Sequence, residues 1–461
     1  MNRQDPSPLA TRPVGRLIMQ FAVPAIISNL ISAMYNIVDQ IFIGQSVGLL
    51  GNAATNVAFP LVTLCLSLSL LLGIGGASNY SLCMGRGEEE KAARYYGAAI
   101  GFLVVFGLTV GILVRIFLQP LMLAFGATAD SLPYAMIYTG ITAFGMPFQI
   151  FITAGSHLIR ADGSPKYAMV SISTGAILNI ILDPLFIFRC DMGIAGAAWA
   201  TVIGQVVSFL LQLYYFLRLK NHPIRVDHLV PRLSLLLPIA GLGCSSFFNQ
   251  VAMMCVQITM NNVLREYGAA SAYGSDIPLA CVGIISKVNV LLISFIIGIA
   301  QGCQPITGFN YGAEQYSRVK KTYITALASA TAIATVFFLC FQLFPRQILS
   351  VFDPQGSELY FRFGIRIFRI YMLMTCINSI QPMTGNFFSS IGKAKTGMLI
   401  SLTRQLLFLL PLILILPRFF GIDGIMFAAP IADFTAAAVA FFLIRRELKR
   451  ISALPDKPLV P

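Results

Sequence analysis

GIGGASNYSLCMGRGEEE at residues 73–90 returns as GIAQGCQPITGFNYGAEQ at residues 298–315, without a gap and at an offset of 225. Gly73 matches Gly298, Ile74 matches Ile299, Gly87 matches Gly312 and Glu89 matches Glu314. Two more pairs keep nearly the same register. RADGSPK (Arg160–Lys166) parallels SSIGKAK (Ser389–Lys395), and MGIAGAAWA from Met192 parallels FGIDGIMFA from Phe420. One such match in apolar sequence carries little weight. Three in order mark an internal duplication of the chain.

The duplicated unit is built for lipid. Of the 461 residues, 57% are hydrophobic and 11% charged, whereas a soluble domain carries about 25% charged residues. Apolar runs of about 20 residues or more predict twelve membrane-spanning helices. Their expected positions are 17–43, 54–84, 95–118, 132–156, 167–188, 194–217, 235–264, 277–309, 322–343, 359–389, 397–416 and 423–444. Six spans per half is an even number, so both halves run in the same direction and are related by an axis along the membrane normal. The expected fold is an all-α polytopic membrane protein: two pseudo-symmetric six-helix lobes around a central cleft. Residues 1–225 form the N-lobe, ending in a cytoplasmic linker, and residues 226–461 the C-lobe with a cytoplasmic tail. That architecture favours alternating access over a channel or an enzyme.

Formal net charge is +13, but the basic residues concentrate in the turns that follow even-numbered spans and at the two ends. This bias puts both termini in the cytoplasm and makes a nucleic-acid partner unnecessary. Arg362, Arg366 and Arg369, at the outer start of span ten, run against the bias. The nine cysteines show no metal or disulfide spacing and read as small core hydrophobes. No HExxH motif, nucleophile elbow or clustered His–acid set points to catalysis.

The informative residues are those that do not belong in hydrocarbon. Asn179 and Asp183 in SISTGAILNIILDPLFI (residues 171–187) are four apart and share a helix face. Counting from the nearest inner-side basic residue at 1.5 Å per residue puts Asp183 and Thr201 roughly 25 Å up, Asn179 roughly 20 Å and Asp39 roughly 34 Å before tilt. Two carboxylates, an amide and a hydroxyl from three helices can therefore meet in one lobe. Oxygen ligands of this kind suit Na⁺, and two facing acids can also share a proton. In the second half, Arg404 and Asp433 lie at similar depth on adjacent spans and read as an ion pair. Span seven, FFNQVAMMCVQITMNNV (residues 247–263), offers Gln250, Met253, Gln257 and Asn261 as the lining of a cleft for amphipathic molecules. Pro24, Pro60 and Pro147 are candidate bends.

PAIISNLISAMYNIVDQIFIGQSVG (residues 24–48), LIRADGSPK (158–166), NIILDPLFIF (179–188) and GIAQGCQPITGFNYGA (298–313) resemble multidrug and toxic compound extrusion (MATE) transporters, and most of all their bacterial MepA-like branch. The resemblance covers nearly the whole chain. It implies a multi-pass protein of the bacterial plasma or inner membrane, monomeric, without an enzymatic cofactor. It would export small-molecule drugs and organic cations in exchange for H⁺ or Na⁺. The family's N-lobe cation site falls on Asp39, Asn179, Asp183 and Thr201, with Tyr35 and Tyr138 as supporting tyrosines and Pro24 as the bending proline. Two departures stand out. Ser156–His157 replaces an asparagine near the inner end of helix four, and span seven offers Asn249, Gln250 and Gln257 where some relatives carry a glutamate. A lipid-linked oligosaccharide flippase of the same superfamily is the alternative reading.

Overall fold

The structure is a computed structural model, and it describes residues 7–218, 225–274, 276–352 and 357–457. Twelve helices among the described residues are long and apolar enough to cross a membrane. They are α1 (Val14–Val47), α2 (Leu50–Gly85), α3 (Glu89–Ile116), α4 (Leu132–Ala161), α5 (Pro165–Arg189), α6 (Gly193–Leu217), α7 (Leu233–Ala269), α8 (Ile277–Gly312), α9 (Tyr316–Leu343), α10 (Glu358–Ser390), α11 (Ala394–Phe420) and α12 (Ile422–Ser452). Eleven of the expected spans fall within these, the third (95–118) overruns α3 by two residues, and most of the helices extend further toward the end that bears the termini. An unsatisfied backbone group in lipid costs several kcal/mol, so helices that satisfy their own are the economical solution. Two shorter helices, Leu118–Ala124 and Pro345–Phe352, occupy matching loops before α4 and α10, at the end opposite the termini.

Pro24, Pro60 and Pro147 lie inside helices that run on through them. The helices are interrupted elsewhere. A π-helical turn at Leu185–Arg189 ends α5, another at Thr403–Leu409 divides α11, and α10 is split around a 3₁₀ turn at Thr375–Ile377. Arg366, one of the three arginines that oppose the charge bias, pairs with Asp423 at the α11–α12 turn (2.9 Å).

The two lobes meet along α1, α2, α7 and α8, at the end of the molecule that bears both termini. Gly298 and Gly302 of α8 press on Ile26 and Ala22 of α1. Asn79 Nδ2 donates to the Pro238 carbonyl (3.1 Å), and Gln304 Nε2 donates to the Ile74 carbonyl (3.1 Å) and Ser78 Oγ (2.9 Å). The first turns of α1, from Val14 to Ala22, pack into the C-lobe core, while Ile239 of α7 packs into the N-lobe core. Among the described residues, every hydrogen bond between lobes lies in this half of the molecule. Toward the opposite end the facing helices leave Met34, Ile41 and Met253 exposed. The cleft is closed at the terminal end and open at the other.

The segment leading into each lobe lies on the other lobe. Before α1, the Leu9 carbonyl accepts from Asn310 Nδ2 (3.1 Å) and Arg318 Nη2 (3.0 Å), and Arg318 also reaches the Arg12 carbonyl (2.7 Å). Before α7, His228 is buried against Gly97 of α3, with its Nε2 3.2 Å from Glu90 Oε1. Hydrogen bonds to a charged group contribute about 1.5–3 kcal/mol. Arg318→Met should therefore free the leading segment, raising amide exchange across residues 9–12 by at least about tenfold. Hydrogen–deuterium exchange of the purified protein checks this.

Candidate functional site

The N-lobe gathers its polar side chains where α1, α5 and α6 converge toward the open end. The approach of α5 to α6 depends on two glycines. A Cβ on Gly204 would stand 2.6 Å from the Gly175 carbonyl oxygen, and one on Gly175 would stand 2.0 Å from Ser208 Oγ. With both side chains absent the helices pack backbone to backbone, and one turn further out Asn179 reaches across. Its Nδ2 donates to Asp183 Oδ1 and to Thr201 Oγ1, each at 3.2 Å.

Asp39 of α1 closes the group. Its carboxyl stands beside the Asp183 carboxyl, close enough for the two to interact. Asp39 is 7% exposed, Asp183 0% and Asn179 2%, so water does not screen the pair. Three oxygens here, Asp39 Oδ1, Asp183 Oδ2 and Asn179 Oδ1, are buried and accept no hydrogen bond from the protein. Two facing carboxylates repel unless a proton or cation stands between them. Unfilled oxygen acceptors around two acids suit a small hard cation and equally suit a shared proton. Tyr35 of α1 and Tyr138 of α4 stand close enough to interact electrostatically with both acids.

All four oxygen-bearing residues expected from depth alone are thus brought together, and both tyrosines flank them. Pro24 is not among them. It lies fifteen residues before Asp39 on the same helix, roughly 22 Å along its axis, in the stretch of α1 that meets α8. Its carbonyl accepts a hydrogen bond from Ser28 Oγ (2.9 Å).

On α7, Gln250 is half-buried, Met253, Gln257 and Asn261 are exposed, and Gln257 Nε2 donates to Asn261 Oδ1 (3.0 Å). Exposed amides at membrane depth are costly against lipid and belong on a watery cleft. In the C-lobe, Arg404 Nε donates to Asp433 Oδ1, with Tyr371 of α10 beside both.

Sequence reasoning passed over Gln304 and Asn79, which tie the lobes together, and treated His157 only as a group at a helix end. His157 and Arg160 are each 3% exposed near the meeting of α4 and α8, and Gln304 stands beside His157. The available signal was polarity within the repeated motif: Asn79 and Gln304 both sit inside the duplicated stretch.

The MatE family profile matches the chain twice, over residues 24–185 and 246–415. The multidrug export protein MepA of Staphylococcus haemolyticus is 25% identical over 441 residues, covering 94% of this chain and 93% of that protein. MepA of Staphylococcus aureus (strain N315) is 23% identical over 433 residues, 94% of each chain. A structure described as the outward-facing conformation of a multidrug resistance MATE family transporter superposes with a TM-score of 0.88 at 23% identity, covering 96% of this chain and 98% of that one. Matched in both halves over most of its length and carrying the same twelve-helix fold, the chain belongs to the MatE family.

Proposed function

We propose that the protein is a cation-coupled antiporter that exports amphipathic, often cationic, drugs and toxic organic compounds by alternating access. The observation that carries this reading is the facing pair Asp39 and Asp183, buried among oxygen acceptors that no protein donor fills. A site that changes charge as it fills couples to conformation when one lobe arrangement holds the cation more tightly than the other. H⁺ or Na⁺ entering from the open end fills the N-lobe. Drug, held against the α7 face of Gln250, Met253, Gln257 and Asn261, favours the opposite occupancy. The chain acts as a monomer in a bacterial inner or plasma membrane, with both termini cytoplasmic. The closed end then faces the cytoplasm and the cleft faces outward. A flippase for lipid-linked oligosaccharides would need free positive charge in the cavity for a pyrophosphate, and Arg404 is engaged by Asp433.

Ethidium efflux from everted membrane vesicles tests the reading. An imposed pH gradient or an imposed Na⁺ gradient should drive efflux, and the gradient that works names the ion. Collapse of that gradient by its ionophore should stop transport. Efflux indifferent to both gradients would sink the coupled mechanism.

A further inference from the structure

The duplication supplies a common register for the two lobes. Gly163 and Gly392 hold left-handed φ values of 87° and 84° at the turns before α5 and α11. Gly193 and Gly421 do the same, at 52° and 58°, at the first residue of α6 and just before α12. Counted from these turns, the C-lobe mates of Asn179, Asp183 and Thr201 are Phe408, Leu412 and Ala429. All three belong to or pack against the apolar core. The oxygen ligands of the N-lobe have no counterpart at this level.

One turn closer to the terminal end the relation reverses. Arg404 lies twelve residues past Gly392, as Gly175 lies twelve past Gly163, and Asp433 lies twelve past Gly421, as Gln205 lies twelve past Gly193. The N-lobe position holds a bare helix crossing, with Gly175 against Gly204 and the Gln205 carbonyl oxygen Oε1 buried without a donor. The C-lobe position holds a guanidinium on a carboxylate. The side chains are 17% and 5% exposed, and the π-helical turn Thr403–Leu409 carries the arginine.

We propose that Arg404 is a built-in cation of the C-lobe. It neutralises Asp433 permanently, so this carboxylate takes up no exchangeable H⁺ or Na⁺, and the N-lobe alone sets the number of ions carried per cycle. The inference rests on the N-lobe reading above and adds a stoichiometry-determining residue to it. A guanidinium does not release its proton at any physiological pH. A tethered charge in direct contact also outcompetes a free ion that must shed its water to enter. Remove the guanidinium, and a buried carboxylate is left that must recruit a proton or a cation. Asp433 is in this sense a latent cation site.

The experiment counts exchangeable cations per purified, folded chain, by proton uptake after a pH jump and by binding of radioactive Na⁺. Asp39→Asn/Asp183→Asn should bind none. Adding Arg404→Met to that chain should restore one cation per chain, and further adding Asp433→Leu should remove it. Arg404→Met/Asp433→Leu in an otherwise native chain replaces the pair with apolar volume. It should fold and keep the native count, which guards against misfolding as the explanation. A cation retained by Asp39→Asn/Asp183→Asn that disappears with Arg404→Met/Asp433→Leu would mean that Asp433 already exchanges, and would overturn the proposal. A folded Arg404→Met chain that gains no cation would overturn the latent site. A native count in Asp39→Asn/Asp183→Asn that ignores Asp433 substitution would instead overturn the N-lobe reading, a result distinguishable from both.

Discussion

Asp183→Asn is expected to uncouple transport from the cation gradient while leaving the fold intact. The substitution is nearly isosteric, and the new side-chain carbonyl still accepts the hydrogen bond that Asn179 Nδ2 now gives to Asp183 Oδ1. What changes is charge. One of two facing carboxylates disappears, and with it the partner that, in the proposed mechanism, holds a proton or Na⁺ against Asp39. Coupling free energies of about 1–3 kcal/mol correspond to roughly 5–150-fold differences in affinity between states. Loss of gradient response on that scale is therefore the expected reading in ethidium efflux. The thermal midpoint should hold steady or rise, because the substitution relieves repulsion between buried charges. A structural acid would behave in the opposite way: coupling would persist and the midpoint would fall. Full gradient-driven efflux in Asp183→Asn, or a large loss of stability with coupling preserved, would remove Asp183 from the site.

Gly75→Val is expected to prevent the terminal end from closing. A Cβ at Gly75 would stand 1.9 Å from the Ile239 carbonyl oxygen, and one at Gly243 would stand 1.8 Å from the Leu71 carbonyl oxygen. Both obstructions are backbone, so neither can swing aside as a flexible side chain would. Overpacking of this kind costs about 1–3 kcal/mol even where a core can adjust. At a seam between two lobes the adjustment available is separation. The clash is confined to the closed arrangement, so the population shifts toward the state open at the terminal end. Transport falls because the cycle cannot return. Cys83, buried near the same seam, reports the change in a chain with its other cysteines replaced. Its labelling by a maleimide from the terminal side should speed up by at least about tenfold for 1.4 kcal/mol of shift. Unchanged labelling together with native efflux would show that the seam accommodates the side chain.

Much of this was written in local sequence. The lengths of the apolar runs fixed the number of helices, because a helix at 1.5 Å per residue must match the thickness of hydrocarbon. The repeat at residues 73–90 and 298–315 fixed the two-lobed plan. Simple depth counting brought Asn179, Asp183 and Thr201 to within about 5 Å of one level and Asp39 about 9 Å further out before tilt, since position along a spanning helix is nearly a coordinate across the membrane.

Other features belong to pairs of helices, and no single run of residues encodes them. That Gly175 and Gly204 let α5 and α6 touch, that Gln304 bonds to α2, and that the segment before α1 is gripped by Arg318 of α9 all depend on which faces meet. Pro24, the bending proline of the resemblance, stands at the inter-lobe seam, roughly 22 Å along α1 from Asp39, and that placement depends on which face of α1 meets α8. The sequence by itself determined the membrane class, the helix count, the duplication and the level of the buried acids, because each follows from periodicity and length along one strand of chain. Only the tertiary structure decided which end of the cleft is shut and which acids face one another. Those outcomes turn on close backbone contacts at glycines and on hydrogen bonds between residues more than two hundred positions apart.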